Sequence, residues 1–418
     1  MRTILLLVYA ATPIVELLGS LSERSTYITV IYQVLTLLLA IFVVRDTAMY
    51  QSCLRAAILP ALYAITFIIV SYYGANFEYS IKYRVLLLPL LVVDFCMFYI
   101  IAYAMPFQLV MRAIGILITV FAILSLLLAH FDITDASMTR VIYGFDLPFA
   151  VPPMIMFGSL YLGGILVFVA LLSVKKTVFL SCIAAFLATY AIRSALRVGI
   201  WKRRRTQVQS EKVKLLTVPK LAGLGASCVI LGLFFYTYLS ETIVRLLTER
   251  QDIYRSEMAG EFMRLSREHF PGGIGYYCFG FLTKDTIKYY SQTASGMILD
   301  DGMSLHNSFM HVILEGGGAV CIVLALLCWL CLKRIRSMAK DPEQKGFAVV
   351  FIGWAIAAAI FGSLQQFHAT HYFFGIPGLI MGTYDRYQRK RAEAVNCSCK
   401  NIKAPKMATW GLRRRINS

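Results

Sequence analysis

Long apolar runs recur along this 418-residue chain and constrain its fold more than any other feature. Most are about 20 residues long, the length that an α-helix needs to cross a bilayer. They cover residues 3–20, 27–44, 54–72, 85–103, 107–129, 154–173, 215–240, 306–332, 347–362 and 371–383. Within hydrocarbon only helices or closed barrels satisfy the backbone, and these runs lack the alternation of barrel strands. The sequence therefore predicts an all-α integral membrane protein, a polytopic helical bundle.

The composition excludes a soluble enzyme. Hydrophobic residues make up 58% of the chain and charged residues 15%, with a mean hydropathy of +0.67, whereas a soluble domain is about 45–50% apolar and about 25% charged. Lys and Arg number 41 against 23 Asp and Glu. We interpret this excess as a sign of membrane orientation and expect no nucleic-acid partner. The ten cysteines show neither a disulfide framework nor a zinc pattern.

The charge of the loops predicts an orientation. Residues 202–220 hold seven bases and one acid, 333–345 hold five and two, and 385–418 hold ten and two. By contrast, residues 130–153 hold three acids and one base, and residues 241–305 hold nine acids and seven bases. Because basic loops stay in the cytoplasm, we expect both termini to be cytoplasmic and residues 241–305 to form one long periplasmic loop.

Two basic clusters flank a stretch that is too short for two full spans. Lys175–Lys176 and Lys202–Arg205 both favour the cytoplasm. At about 1.5 Å per residue, the chain can rise only part of the way and return. We therefore predict a helical hairpin with its tip at Arg193-Ser194-Ala195, which brings the total to about 11–12 transmembrane segments. Arg193 would then either snorkel to the outer headgroups or face an anionic ligand.

The long outer loop has two parts. Residues 241–269 read as an amphipathic helix with apolar residues near a 3.6 period and an i,i+4 pair at Arg264–Glu268. Pro271-Gly-Gly-Ile-Gly then breaks the helix. Gly273 and Gly275 would let the backbone approach a ligand closely, although they suit a plain turn equally well.

A row of polar groups enters the next apolar run. Asn307, His311 and Glu315 share a helix face at i,i+4 spacing, and His306 stands at the entrance. Such a row is costly in the membrane unless it faces the bundle interior or a wet cavity. Histidine exchanges protons near neutral pH, which suits a general base at His306. The alternative is that His311 and Glu315 only hydrogen-bond neighbouring helices.

Together these motifs resemble the O-antigen ligase/polymerase superfamily of bacterial inner-membrane glycosyltransferases. The resemblance rests on His306-Asn307-Ser308-Phe309 running into Leu314-Glu315-Gly316-Gly317, preceded by Pro271-x-Gly273-x-Gly275. It covers roughly residues 175–383, while the N-terminal helices match only in number and hydropathy.

Members of this family carry two arginines, one at the outer end of a helix and one before the Pro/Gly turn. Arg193 and Arg255 stand at those positions here. The chain departs from the pattern in having Ile192 and Ser194 where the family has serine and glycine, and Ala259 where it often has tryptophan. Arg250, Arg264 and Arg267 therefore rival Arg255 as the second phosphate-binding arginine.

The resemblance implies a glycosyltransferase that polymerises undecaprenyl-diphosphate-linked oligosaccharide repeat units into a surface polysaccharide or exopolysaccharide. Its site would face the periplasm from the bacterial inner membrane. His306 would act as general base, with Arg193 and Arg255 holding the diphosphate. Substrate contacts are expected from Asn307, His311, Gly273 and Gly275.

This chemistry needs no cofactor and no metal. The lipid-linked oligosaccharide would serve as both donor and acceptor. The further partners that we expect for the protein are membrane lipids, a chain-length regulator and a flippase. A metal site formed by His368 and His371 with His306 is a less favoured alternative.

Three other functions stay open at this point. An O-antigen ligase would transfer finished polymer to lipid A–core, and a protein O-oligosaccharyltransferase would use the same donor. A lipid-linked glycan transporter, the non-enzyme alternative, would spread its charges along a central pathway.

In domain terms we expect an N-terminal bundle at 1–174, a ligase/polymerase-like region at 175–384 and a basic cytoplasmic tail at 385–418. Asp94, in the middle of a span, is expected to pair with a buried base on another helix.

Overall fold

The computed structural model describes residues 25–44, 46–82, 85–106, 108–112, 115–116, 147–156, 160–172, 176–204, 251–283, 307–342, 344–364 and 372–402. All regular structure in these ranges is helical, which confirms the all-α prediction. The helices are α1 (Ser25–Val43), α2 (Thr47–Ala56), α3 (Ile58–Tyr72), α4 (Phe77–Lys82), α5 (Pro89–Ala104), α6 (Leu147–Met156), α7 (Leu160–Leu172), α8 (Lys176–Arg204), α9 (Gln251–His269), α10 (Cys278–Thr283), α11 (Ser308–Glu315), α12 (Gly317–Lys340), α13 (Lys345–Leu364) and α14 (Tyr372–Ile402).

Several of these helices have the length and composition of membrane spans. Three qualify within the described ranges, at Val178–Ala195, Gly317–Lys340 and Lys345–Ser363. The bent pair α2–α3, with an angle of 41° between its helices, makes a fourth if it is one span. The chain is therefore a helical membrane protein. The described residues contain fewer spans than the 11–12 that the sequence predicted. The remaining apolar runs form shorter helices in the structure or lie outside the described ranges.

The helix α5 lies at the centre of the N-terminal packing. It is apolar on all sides, as expected of a helix surrounded by others, and it buries Phe95, Phe98 and Tyr99 almost completely. Its largest contact within the described residues is with α14. The two backbones approach closely, because a Cβ on Gly382 would overlap the carbonyl oxygen of Tyr99.

Asp94 in α5 has an interhelical partner, as the sequence predicted. The partner on α1 is Gln33, whose Nε2 donates a hydrogen bond to Oδ1 of Asp94 at 3.0 Å. The donor in this hydrogen bond is the side-chain amide of Gln33, whereas the sequence led us to expect a buried base. A neutral donor satisfies the acid without placing a second charge in the apolar interior.

The predicted hairpin at Arg193-Ser194-Ala195 is wrong. Helix α8 continues without interruption from Lys176 to Arg204 and is about 43 Å long at 1.5 Å per residue. Serine and alanine at the expected tip do not stop a helix, and the leucine and arginine that follow are good helix formers. Lys176 and Arg204 therefore lie at opposite ends of one helix. The predicted cytoplasmic location of both termini was drawn from the charges of the loops, and it stays a prediction.

The apolar run 306–332 is not one helix. It is divided between α11 and α12, with a break at Gly316 and a positive φ of 67° at Gly317. At the other end of the chain, α14 runs through the proposed domain boundary at 384/385 and carries the start of the basic tail as helix. The break at Gly316 is the feature that positions the candidate site.

Candidate functional site

The Pro/Gly turn at residues 271–275 is bound to the junction between α11 and α12. The N–H of Gly275 donates to the carbonyl oxygen of Glu315 at 3.0 Å, and the N–H of Gly318 donates to that of Pro271 at 2.8 Å. Two motifs that are far apart in sequence, 271–275 and 314–318, thus contact each other through main-chain hydrogen bonds. The site is built around this contact.

Gly273 and Gly275 allow this contact by their backbone conformation. Their φ angles are +87° and +98°, which favour glycine. A Cβ on Gly273 would lie 2.9 Å from the carbonyl oxygen of Glu315 and 3.0 Å from the nitrogen of Gly317. A Cβ on Gly275 would lie 3.1 Å from Cα of Ser71. At both glycines the space that a side chain would need is therefore occupied by the protein's own backbone.

Asn307 caps the N-terminus of α11. Its Oδ1 accepts hydrogen bonds from the N–H groups of Phe309 and Met310, both at 3.0 Å. Its Nδ2 donates to the carbonyl oxygen of Ser363 near the end of α13, at 2.8 Å. The first bonds satisfy amides that a helix leaves unpaired at its start, and the last fixes α11 to α13.

His311 and Glu315 form a buried pair on α11. Both side chains are at most 1% exposed, and Nδ1 of His311 lies 2.5 Å from Oε2 of Glu315. The Glu315 carboxyl accepts the N–H of Tyr277 at 2.5 Å and that of Phe279 at 3.3 Å. The i,i+4 relation predicted from sequence is confirmed. The partners of the carboxyl, in the segment that follows the Pro/Gly turn, agree with the alternative that these residues bind neighbouring elements.

The turn also contacts the end of α3 and the start of α4, which the sequence analysis did not identify. Oγ of Ser71 accepts the N–H of Tyr276 at 2.9 Å, and the N–H of Ala75 donates to the carbonyl oxygen of Ile274 at 2.8 Å. Oγ of Ser80 donates to the carbonyl oxygen of Tyr276 at 2.9 Å. The sequence signal for these contacts was the set of small and polar residues at the end of the apolar run 54–72 and directly after it.

Cys278 follows the turn and is a packing group. Its thiol donates to the carbonyl oxygen of Asn76 and lies 3.2 Å from Oγ of Ser80. Burial raises the pKa of the Cys278 thiol, with smaller opposing effects from these two neighbours. A buried thiol with a raised pKa stays protonated near neutral pH and is a poor nucleophile.

Helix α9 confirms the predicted helix over Gln251–His269 and packs against α11, while the first part of that prediction, residues 241–250, lies outside the described residues. Met258 and Leu265 of α9 share a buried cluster with Leu314 of α11. Arg255 lies one helical turn before Met258, at the N-terminal end of this contact.

Two of the rival arginines on α9 have exposed side chains. Arg264 donates to Glu261 at 2.7 Å and to Glu268 at 3.1 Å, which confirms the predicted i,i+4 pair, and the hydrogen bond to Glu261 raises the pKa of Arg264. Arg267 is exposed near the C-terminal end of the helix. Arg250 lies outside the described residues.

One predicted catalytic residue, Arg193, lies away from this turn, and another, His306, lies outside the described residues. Arg193 lies on α8 and donates to the carbonyl oxygen of Ile155 in α6. Helix α8 has its main described contacts with α13 and α7, and α13 also receives the hydrogen bond from Asn307. His306, with His368 and His371, lies outside the described residues. It directly precedes Asn307, whose capping bonds fix the main chain at that point.

The arrangement can hold the turn at residues 271–275 rigidly beside α11. No protein-family model matches the chain, and no curated protein matches it either. The resemblance noted above therefore rests on its motifs and on how they are arranged.

Proposed function

We propose that this chain is an inner-membrane glycosyltransferase of the O-antigen ligase/polymerase type. It would join undecaprenyl-diphosphate-linked repeat units into a surface polysaccharide or exopolysaccharide on the periplasmic face of a bundle of about 11–12 spans. The observation that carries the proposal is the contact between the Pro/Gly turn and Glu315–Gly317. These are two of the three motifs in which the resemblance lies, and residues that meet in space give it more weight than sequence order alone.

The proposed reaction is one inverting displacement. The acceptor hydroxyl attacks the anomeric carbon of the donor sugar, the bond from that carbon to the diphosphate oxygen breaks, and undecaprenyl diphosphate leaves with the bonding electrons. His306 takes the proton of the attacking hydroxyl. No metal or cofactor is needed in this scheme.

Cations are required where charge develops on the leaving diphosphate. Arginine suits this role because its planar fork binds phosphate oxygens bidentately and stays protonated. Arg255 is the better supported of the two candidates, since its helix packs against α11, which begins next to His306. Arg193 would have to exchange its hydrogen bond to Ile155 for one to the diphosphate.

Purified protein in liposomes, supplied with a lipid-diphosphate oligosaccharide, tests the proposal directly. We expect longer glycans on the lipid and released undecaprenyl diphosphate. His306→Ala should lower kcat about 10²–10⁴-fold, the range for loss of a general base. His269→Ala, an exposed histidine on α9, is the matched control and should keep full activity. Wild-type protein that forms no glycosidic bond would contradict the proposal, and an active His306→Ala would reject the base assignment.

The same assay separates the rival arginines on α9. Arg255→Ala should lose most activity, whereas Arg264→Ala removes only an exposed arginine bound to two surface acids and should retain it. The reverse result would move the diphosphate contact to Arg264 and leave the proposed reaction in place.

The polymerase and ligase alternatives predict different lipid-linked glycans in a deletion strain. Single repeat units accumulate on the lipid when a polymerase is missing, and long chains accumulate when a ligase is missing. A transporter releases no undecaprenyl diphosphate in the liposome assay. Mass analysis of the lipid-linked pool therefore separates the polymerase from the ligase, and the liposome assay separates both from the transporter.

A further inference from the structure

Glu315 is a fully buried acid at the centre of the contact between the outer loop and α11. Its main-chain carbonyl oxygen accepts the N–H of Gly275 at 3.0 Å. Its carboxyl accepts the N–H groups of Tyr277 and Phe279. One residue thus binds the turn and the segment after it through separate atoms.

The side chain contributes something that the main chain does not. An apolar residue at position 315 would keep the bond to Gly275 and avoid the cost of burying an acid. Through its carboxyl, Glu315 also binds the amide of Tyr277, a non-glycine residue with a positive φ of 58°. Such a conformation is disfavoured for a residue with a Cβ and persists only where its surroundings impose it. The short hydrogen bond from the Tyr277 amide is part of what imposes it.

His311 holds the carboxyl in place. Its Nδ1 lies 2.5 Å from Oε2 of Glu315. Its ring stacks on Phe67 of α3, with centroids 5.7 Å apart, and meets the rings of Tyr276 and Tyr277 edge-on at 5.2 and 5.4 Å. Because the imidazole is enclosed by protein on these sides, we assign it to Glu315 rather than to a ligand.

We propose that Glu315, with His311 as its partner, is a positioning residue that sets the segment Tyr277–Thr283 against α11. The effect of Glu315 on catalysis rests on the proposed function. We expect such an effect because the chain continues from Thr283 to His306, the proposed general base, which directly precedes α11. The carboxyl touches neither donor nor acceptor. It acts through the segment whose amides it binds.

Hydrogen exchange measured by mass spectrometry tests whether Glu315 fixes the segment Tyr277–Thr283, and it does not depend on activity. The full chain in nanodiscs is compared with Glu315→Ala, Glu315→Asp and Glu315→Gln. Losing the acceptor should speed amide exchange in peptides covering 276–283 about tenfold in Glu315→Ala. Glu315→Asp keeps a carboxyl group on a shorter side chain and should do nearly the same, whereas Glu315→Gln keeps one acceptor oxygen and should fall between. Glu268→Gln, an exposed acid on α9, should match wild type.

The catalytic consequence is tested by steady-state kinetics with the lipid-linked oligosaccharide. A positioning role predicts that Glu315→Asp lowers kcat about tenfold or more with KM nearly unchanged, and that Glu315→Gln recovers part of the loss. If Glu315→Ala does not fold, the Asp and Gln variants carry the test. Unchanged exchange in Glu315→Asp, or wild-type kcat in that variant, would overturn the inference. Inactive wild-type protein with the expected exchange pattern would instead reject the proposed function and leave Glu315 as the residue that fixes the loop.

Discussion

Asn307 connects two helices through one side chain: its Nδ2 donates to the carbonyl oxygen of Ser363 at 2.8 Å while its Oδ1 caps α11. The side chain thus binds three main-chain groups. Asparagine is one of few residues that can cap and donate at once, because its amide has both an acceptor and a donor. This explains why asparagine follows His306 without requiring that it contact a substrate.

Asn307→Ala should therefore destabilise the protein more than Asn307→Asp. Alanine removes the cap, which costs about 1 kcal/mol, and also the bond to Ser363. Aspartate is an equally good cap and loses only that bond. Unfolding in mixed micelles with increasing SDS measures both changes. Equal losses in the two variants would show that the cap contributes nothing, and the role assigned to Oδ1 would fail.

The Pro/Gly turn should not tolerate a side chain at Gly273. Alanine there would require a left-handed conformation and would press against the carbonyl of Glu315, so we expect a loss of about 1–3 kcal/mol. Gly260 is the matched control, since it lies within α9 with open space at its Cβ position. Gly260→Ala should stabilise the helix by about 0.5–1 kcal/mol. The same SDS titration compares them, and a Gly273→Ala variant as stable as Gly260→Ala would contradict the packing described here.

Local features of the fold could be predicted because they are encoded in neighbouring residues. The 3.6-residue period and the Arg264–Glu268 pair predicted α9, and Pro271 beside three glycines predicted its end. The spacing of His311 and Glu315 predicted that they would be close. Each of these inferences needed only a few consecutive residues.

The sequence-based predictions failed in two situations. In one, the charge rule for loops conflicted with local helix propensity; in the other, the contact joins residues that are far apart in sequence. The charge rule suggested a hairpin in α8, although nothing near Ala195 breaks a helix. An apolar run cannot show that α11 and α12 separate at Gly316, because hydropathy does not report φ. The contacts of Ser71 and Ser80 with Tyr276 join segments that are far apart in sequence, and periodicity carries no information on such pairs.

A buried tryptophan should matter to the contact between α13 and α6. Nε1 of Trp354 donates to the carbonyl oxygen of Phe149 at 2.6 Å, and the ring is 2% exposed. Trp354→Phe removes the donor, so the buried carbonyl loses this bond, which costs about 1–3 kcal/mol. Trp329→Phe is the control, because Trp329 of α12 is 57% exposed and its replacement should change stability by at most about 0.5 kcal/mol. Equal shifts in the SDS midpoint of unfolding would argue against the Trp354 hydrogen bond.

Acid should weaken the contact between Asp46 and the helical start of the basic tail. Asp46 precedes α2, accepts the N–H of Met49 at 3.1 Å and pairs with Arg389 of α14. Partial burial acts to raise the pKa of Asp46, but the hydrogen bonds from Met49 and Arg389 outweigh it, so the pKa is lowered. A carboxyl with a lowered folded-state pKa stabilises the fold above its ordinary pKa of about 3.9 and loses that contribution as pH falls through the lowered value.

We therefore expect wild type to have a higher Tm than Asp46→Asn at neutral pH, and the gap between them to close as the pH falls below about 3.9. Asparagine preserves the helix cap, so the variant isolates the charged interaction with Arg389. Glu268→Gln, which changes an exposed acid on α9, controls for the general loss of negative charge. The difference in Tm between this variant and wild type should change much less with pH. Thermal unfolding in detergent across this pH range measures all three proteins. A gap that stays constant or widens in acid would mean that the ion pair with Arg389 does not stabilise the folded chain.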